Sequence, residues 1–362
     1  MRRRKLLQAG VVSAGAATAG AAFPAPAISQ GRRELRLVTT WPSDFPGLGK
    51  GAVRFANRVT EGTGQQITVR VYSAGELVPA FESFDAVARG DVDMYHASEA
   101  YWQNKTPVFN FFAAMPLGMI GSEMDAWIHH GGGQAMWDEL TGQYGVKSLA
   151  CGNTGVQMAG WFQDEINSLE DMTRLTFRIA GLGAEVFRQV GIEALTVPGG
   201  EILEAMKTRR IDACEFMGPW TDLALGLQTV ARYYYYPGMH QPGETISLGI
   251  NAGLWNGLTS DQRSIVAMAA QAENNALFSE FNSRNGEALD ELISKHGVEV
   301  RRLDRVTFRS LALAARDVVT TVGEENAFSR RVYNSFIEFR RKVSRWTELS
   351  DQAYVEARAR YI

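Results

Sequence analysis

Two stretches of the chain gather polar side chains among small and aromatic ones: "GNTGVQMAGWF" at 152–162 and "CEFMGPW" at 214–220. Gln157 and Glu215 stand in them, with no Ser, His or Lys in either stretch. Cys214 has no His or Lys in either stretch to activate it, so nothing here is poised to open a bond. Gln157 and Glu215 are, however, the ligands a hard cation such as Na⁺ or Ca²⁺ takes, with carbonyls and ligand oxygens completing its shell. Arg178 is the third such group, inside the apolar run "LTFRIAG" (175–181) and ahead of a helix predicted from Ala184. A guanidinium at a strand's carboxyl end, beside a helix N-terminus, faces the place where open α/β folds bind anions. Its planar fork can take a carboxylate through two parallel hydrogen bonds. The competing reading is a structural ion pair of Arg178 with Glu215, and Gln157 as an ordinary exposed strand residue.

Other motifs fail their own tests. "HHGGG" (129–133) is like the oxyanion loop of esterases, but no Ser stands in a G-x-S-x-G elbow. "GLGAEVF" (181–187) misses G-x-G-x-x-G because position 186 is Val. His96, His129, His130, His240 and His296 lack the local spacing of a zinc site. No catalytic residue is named, and an exported esterase stays only as a remote alternative.

The N-terminus reads as an export signal. Arg2, Arg3, Arg4 and Lys5 precede Leu6-Leu7, an Ala/Gly/Val stretch and a small-x-small site at Ala25-Pro26-Ala27. "RRKLLQ" (3–8) resembles a twin-arginine motif, with an ordinary secretory signal as the alternative. Residues 1–27 are expected to be removed and the chain to work in the periplasm. Their loss takes four positive side chains, leaving 33 Lys+Arg against 40 Asp+Glu, a net charge of about −7. Such a chain has no electrostatic reason to bind nucleic acid or an anionic membrane, and an anionic ligand needs a local cation. Cys151 and Cys214 are expected as small buried residues, with a disulfide as the alternative.

Positioning these groups falls to alternating elements. "ELRLVTTW" (34–41), "QITVRVYS" (66–73) and "VDMYHA" (92–97) read as strands separated by helices, and 124–142 as a helix broken near Gly131-Gly132-Gly133. A second run follows, with strands "LTFRIAG", "EALTV", "IDACEF" (211–216) and "RYYYYPG" (232–238). "TISLGIN" (245–251) leads back to the first layer, and the chain from Thr259 is helical apart from "GVEVRRL". The expected architecture is α/β, with two lobes around a cleft and long C-terminal helices. Lobe I takes 28–153 and about 246–305, lobe II takes 154–245, and helices over 306–362 pack on both.

Taken together, "VYSAGELVP" (71–79), "HHGGG", "GNTGVQMAGWF", "FRIAG", "EFMGPW" and "YYYYPG" make the chain similar to the solute-binding proteins of TRAP (tripartite ATP-independent periplasmic) transporters. The resemblance is to the DctP type, in its 2-oxo acid and lactate branch, and runs through nearly all of the mature chain. It implies that Arg178 clamps a substrate carboxylate. It also implies a metal ion held by Gln157, Glu215, the Phe216 carbonyl and Gln241, with Phe216 standing where the branch often has Trp. Trp41 and Tyr101, each following a strand, are expected at the cleft, and Asn153 at the crossing between lobes. The ligand expected is a 2-oxo or 2-hydroxy monocarboxylate; a dicarboxylate, sugar acid or aromatic acid is the alternative. Arg178, Glu215 and a monoanion sum to −1, which favours Na⁺ over Ca²⁺. Expected partners are a transporter's membrane subunits and, for the stripe Val332, Phe336, Phe339, Val343 and Trp346, either a second copy or, as the alternative, the chain's own lobes.

Overall fold

The computed structural model describes residues 32–362; the expected signal sequence lies outside them. Eleven strands form two sheets. They are β1 (Arg33–Thr39), β2 (Ile67–Tyr72), β3 (Met94–Ala97), β4 (Val146–Asn153), β5 (Gly160–Phe162), β6 (Thr176–Arg178), β7 (Glu193–Leu195), β8 (Ala213–Cys214), β9 (Tyr233–Tyr236), β10 (Thr245–Asn251) and β11 (Glu299–Arg302). The first sheet runs β2-β1-β3-β10-β4, and the second β11-β9-β5-β8-β6-β7. Strands β1, β2 and β3 are parallel, and β10 lies antiparallel between β3 and β4.

Periodicity explains the layers. The Leu48–Gly62 helix buries Ala52, Phe55, Ala56 and Val59, one face at helical spacing, against Leu35 and Leu37 of β1, while Leu48 joins the cluster of Trp41 and Phe45. The Ser260–His296 helix opens with a capping box: Gln262 N–H donates to Thr259 Oγ1 at 3.2 Å, and Thr259 N–H to Gln262 Oε1 at 3.1 Å. It then spans both lobes. Val266 and Ala270 pack with the first sheet's core, Phe281 and Leu292 with that of Trp161 and Tyr234. No helix among the described residues is long and apolar enough to cross a membrane.

Two details differ from the sequence reading. The strand Glu299–Arg302, expected with lobe I, pairs parallel with β9 in the second sheet, because the long helix has already carried the chain across. "IDACEF" keeps only Ala213–Cys214 as strand, which leaves Glu215 and Phe216 free of the ladder. Of the two readings of the C-terminal stripe, packing on its own chain describes most of it: Val332 and Phe336 are buried beside Phe111, Phe112 and Trp127. Phe339 and Val343 are half-buried there, and Trp346 is exposed. Cys151 and Cys214 are buried and free, on different sheets.

The chain changes sheets between β4 and β5 and returns between β9 and β10, and these two crossings are zipped together. Thr154 N–H donates to Glu244 O at 3.0 Å, Gln157 N–H to Gln241 O at 3.3 Å, and Gly238 N–H to Gln157 O at 3.2 Å. The approach is tight at Gly238, where a Cβ would sit 2.6 Å from the Gln157 carbonyl oxygen and 2.7 Å from that of Met158. Gly238→Ala is therefore expected to lower stability by about 1–3 kcal/mol, the usual cost of overpacking. A thermal melt matching the parent would show that the crossings can separate without cost.

Candidate functional site

Strands β6 and β8 are parallel neighbours, with Arg178 opposite Cys214 and Glu215 N–H donating to Arg178 O at 3.0 Å. Their carboxyl ends therefore bring the Arg178 and Glu215 side chains together, both 1 % exposed. Arg178 Nη1 donates to Glu215 Oε1 at 2.8 Å and to the Glu215 carbonyl at 2.7 Å. Its Nε and Nη2 donate to the Val197 carbonyl at 3.2 and 3.1 Å. A guanidinium has five N–H donors, so one Nη2 proton is left after these four bonds. Burial by itself lowers the Arg178 pKa, but Glu215 and Tyr101 outweigh it, and the guanidinium stays cationic. The structural ion pair is therefore the reading the geometry shows, and the one remaining donor does not allow the two parallel hydrogen bonds expected of a carboxylate clamp.

The other oxygen of Glu215 is the informative atom. Among the described residues Oε2 is buried with no hydrogen-bond donor, and so are Gln157 Oε1 and Gln241 Oε1. His240 Nε2 lies 3.4 Å from Glu215 Oε2 without hydrogen-bond geometry. Leaving a buried acceptor unmet costs about 1–3 kcal/mol. The set of one carboxylate and two amide oxygens is what Na⁺ or Ca²⁺ accepts. The Phe216 carbonyl accepts no backbone hydrogen bond among the described residues, so it too is available. No trio of His, Cys, Asp or Glu that could hold a metal occurs among those residues, which leaves this mixed oxygen set.

Tyr101 follows β3, is half-buried and faces Arg178; burial pushes its hydroxyl up, so it stays protonated and can donate. Trp41 follows β1 and is buried. Its Nε1 donates to His96 Nδ1 at 3.0 Å, while His96 Nε2 meets the Cys151 carbonyl at 3.2 Å. Burial lowers the His96 pKa to about 4, which keeps the neutral ring this arrangement needs. Phe216 carries the Arg178 guanidinium over its ring at 5.7 Å and meets Phe45 edge-on at 5.9 Å. Asn153 turns inward on the hinge, its Oδ1 accepting from Gly155 N–H at 2.8 Å.

Two carboxylates were missed. Asp222 folds the "EFMGPW" loop: its Oδ1 accepts from the Met217 and Gly218 N–H at 3.2 Å, its Oδ2 from Trp161 and Tyr234. Glu244, 3 % exposed, touches both amides: Gln157 Nε2 donates to its Oε2 at 2.9 Å, and Gln241 Nε2 lies 3.5 Å from its Oε1. Burial, aided by Glu215, pushes Glu244 up to about 7. Its only sequence signal is a Glu at the threshold of the apolar run "TISLGIN".

Residues 37–324 match the family described as bacterial extracellular solute-binding protein, family 7, or DctP. The chain belongs to this family. A DctP-family relative from Nostoc sp. (strain PCC 7120), the monocarboxylate 2-oxoacid-binding periplasmic protein, is 33 % identical over 319 residues. The match covers 88 % of this chain and 87 % of the relative. A TRAP periplasmic solute-binding protein from Pseudoalteromonas atlantica T6c, solved with sodium and pyruvate, is 32 % identical with a TM-score of 0.87. One from Colwellia psychrerythraea, solved with calcium and pyruvate, has the same identity and TM-score. Each structural match covers 90 % of this chain and 99 % of the other. The receptor is thus a TRAP solute-binding protein with the two-lobed fold of these relatives.

Arg178→Met in this receptor should weaken ligand binding by about 2–5 kcal/mol, because it leaves Glu215 and any ligand carboxylate without their shared cation. Arg178→Lys should also weaken it, since a point charge cannot reach Val197, Glu215 and a ligand at once. Calorimetry giving the parent affinity for the Met variant would remove Arg178 from the binding site.

Proposed function

We propose that this receptor binds a small 2-oxo or 2-hydroxy monocarboxylate together with a hard cation, in the periplasm, and delivers it to the membrane subunits of a TRAP transporter. The observation that carries this reading is the group of three buried, unpartnered oxygens on Gln157, Glu215 and Gln241. With the Phe216 carbonyl they would hold Na⁺ or Ca²⁺, and the ion would supply a positive centre for the ligand's carboxylate and its adjacent oxygen. The free Nη2 proton of Arg178 and the Tyr101 hydroxyl are the donors left for the same carboxylate. The Nostoc, Pseudoalteromonas and Colwellia relatives support this ligand class by what they are described as binding.

Charge argues against a dicarboxylate. A second ligand carboxylate would join Glu215 and Glu244, with Arg178 as the buried base among them. With Glu244 ionised and accepting from both amides, Arg178, Glu215, Glu244 and a monoanion sum to −2, which Ca²⁺ balances and Na⁺ brings to −1. In dialysed protein in Tris–chloride, pyruvate or lactate affinity should be at least about tenfold weaker than with Na⁺ or Ca²⁺ restored, a difference of roughly 1.4 kcal/mol. Equal affinity without either ion would remove the cation bridge, and failure of every 2-oxo and 2-hydroxy acid would remove the ligand class.

Pairing of two copies now rests on the end of the chain, where Trp346, Leu349, Tyr354 and Val355 are 69, 78, 67 and 49 % exposed. Sedimentation at micromolar concentration should give a dimer, and Trp346→Glu should shift it to monomer. A parent that sediments as a monomer would end this part of the proposal.

A further inference from the structure

We infer that Glu244 is the residue that turns both amide side chains of the cation site to their oxygen faces. This goes beyond the cation bridge proposed above and rests on it.

The argument is one of polarity. An amide offers an oxygen at one end and two N–H donors at the other, and the two ends are nearly the same shape. Gln157 and Gln241 could each point either end inward. A carboxylate only accepts hydrogen bonds, so an amide facing it must present nitrogen. Glu244 faces both: its Oε2 takes Gln157 Nε2 at 2.9 Å, and its Oε1 has Gln241 Nε2 at 3.5 Å. Thr154 Oγ1 takes the second Gln157 proton at 3.0 Å. The consequence is visible at the opposite ends, where Gln157 Oε1 and Gln241 Oε1 are the buried oxygens with no partner. Both oxygens of Glu244 are engaged in this way, whereas Glu215 keeps Oε2 free. Glu244 therefore orients, and Glu215 is left to coordinate.

The backbone makes the arrangement possible. Gln157 lies on the outgoing crossing, and Gln241 and Glu244 lie on the returning one. Thr154 N–H to Glu244 O and Gln157 N–H to Gln241 O fix their relative height. One carboxylate can reach two amides from different segments only because those segments are zipped at this point.

The test is a swap of chemistry that keeps shape. In Glu244→Gln the new amide can accept from one glutamine but must donate to the other. Gln241 is the partner that flips and withdraws its oxygen from the cation, because Thr154 Oγ1 also holds the Gln157 nitrogen. The hydrogen bonds of both glutamines are kept, so the thermal melt should match the parent. The cation concentration at the midpoint of pyruvate binding should rise about 10–100-fold, the range for losing a group that orients a metal ligand. Adding Gln157→Glu to Glu244→Gln exchanges the carboxylate and the amide between the two positions. The introduced amide then donates to the introduced carboxylate and accepts from Gln241. The relocated carboxylate has a second oxygen for the cation, and Gln241 keeps its own. The midpoint should return toward the parent value at unchanged net charge.

Calorimetric titrations of pyruvate at stepped NaCl or CaCl₂ read all three proteins. A Glu244→Gln midpoint equal to the parent's overturns the inference while the cation bridge stands. A double variant no better than the single one overturns it as well. A parent that binds pyruvate independently of either ion overturns both proposals together. If the single variant does not fold, the double variant decides: a parent-like midpoint supports the orienting role, and a raised one overturns it.

Discussion

Arg178 satisfies one oxygen of Glu215 at 2.8 Å, and the other stays buried without a donor. The rest of the site follows from that asymmetry. A buried ion pair is worth little to stability by itself, because desolvation offsets most of the attraction. A carboxylate half satisfied by the protein instead becomes a binding element: its remaining lone pairs are complete only when something positive arrives. Gln157 and Gln241 add oxygens in the same condition. The buried polar atoms together describe the complement of what they bind.

The position of the site links binding to motion. Arg178 ends a strand of the second sheet and Glu215 follows its neighbour, Trp41 and Tyr101 follow strands of the first, and Gln157 and Gln241 ride on the crossings between them. The lobes also meet where Asn110 Oδ1 accepts the Leu182 N–H at 3.0 Å, at the start of the Leu182–Gln189 helix. A ligand touching both lobes and the crossings favours the closed arrangement over the open one by its differential contacts. Asp222 serves the same geometry from behind, holding the loop that carries Glu215 and Phe216.

Much of this was legible in one dimension, for identifiable reasons. The alternation of strands and helices announced two α/β layers because the period-two and period-3.6 patterns are local. Arg178 stood out because a guanidinium in an apolar run must have a buried partner. The helical pattern from Thr259 and the helix between the first two strands were equally local. The lobe boundary near 305 was not, since whether β11 joins one sheet or the other depends on where a 37-residue helix ends in space. The C-terminal stripe left two readings open for a related reason: an apolar helix face reads the same whether its own chain or another copy covers it.

The sequence by itself determined the ligand types, the layered fold and the family resemblance, because residue identity and short-range spacing carry them. The tertiary structure decided which groups face each other. It paired Arg178 with Glu215, turned Asn153 onto Gly155, and set Glu244 against two amides from different segments. Glu244 was invisible beforehand because a lone carboxylate next to a Pro-Gly turn looks like surface. It becomes part of the site only when two crossings, 87 positions apart at the Gln157–Glu244 bond, are zipped into one. Hydrogen-bond polarity acts through space, and no pattern along the chain encodes which end of an amide will be left free.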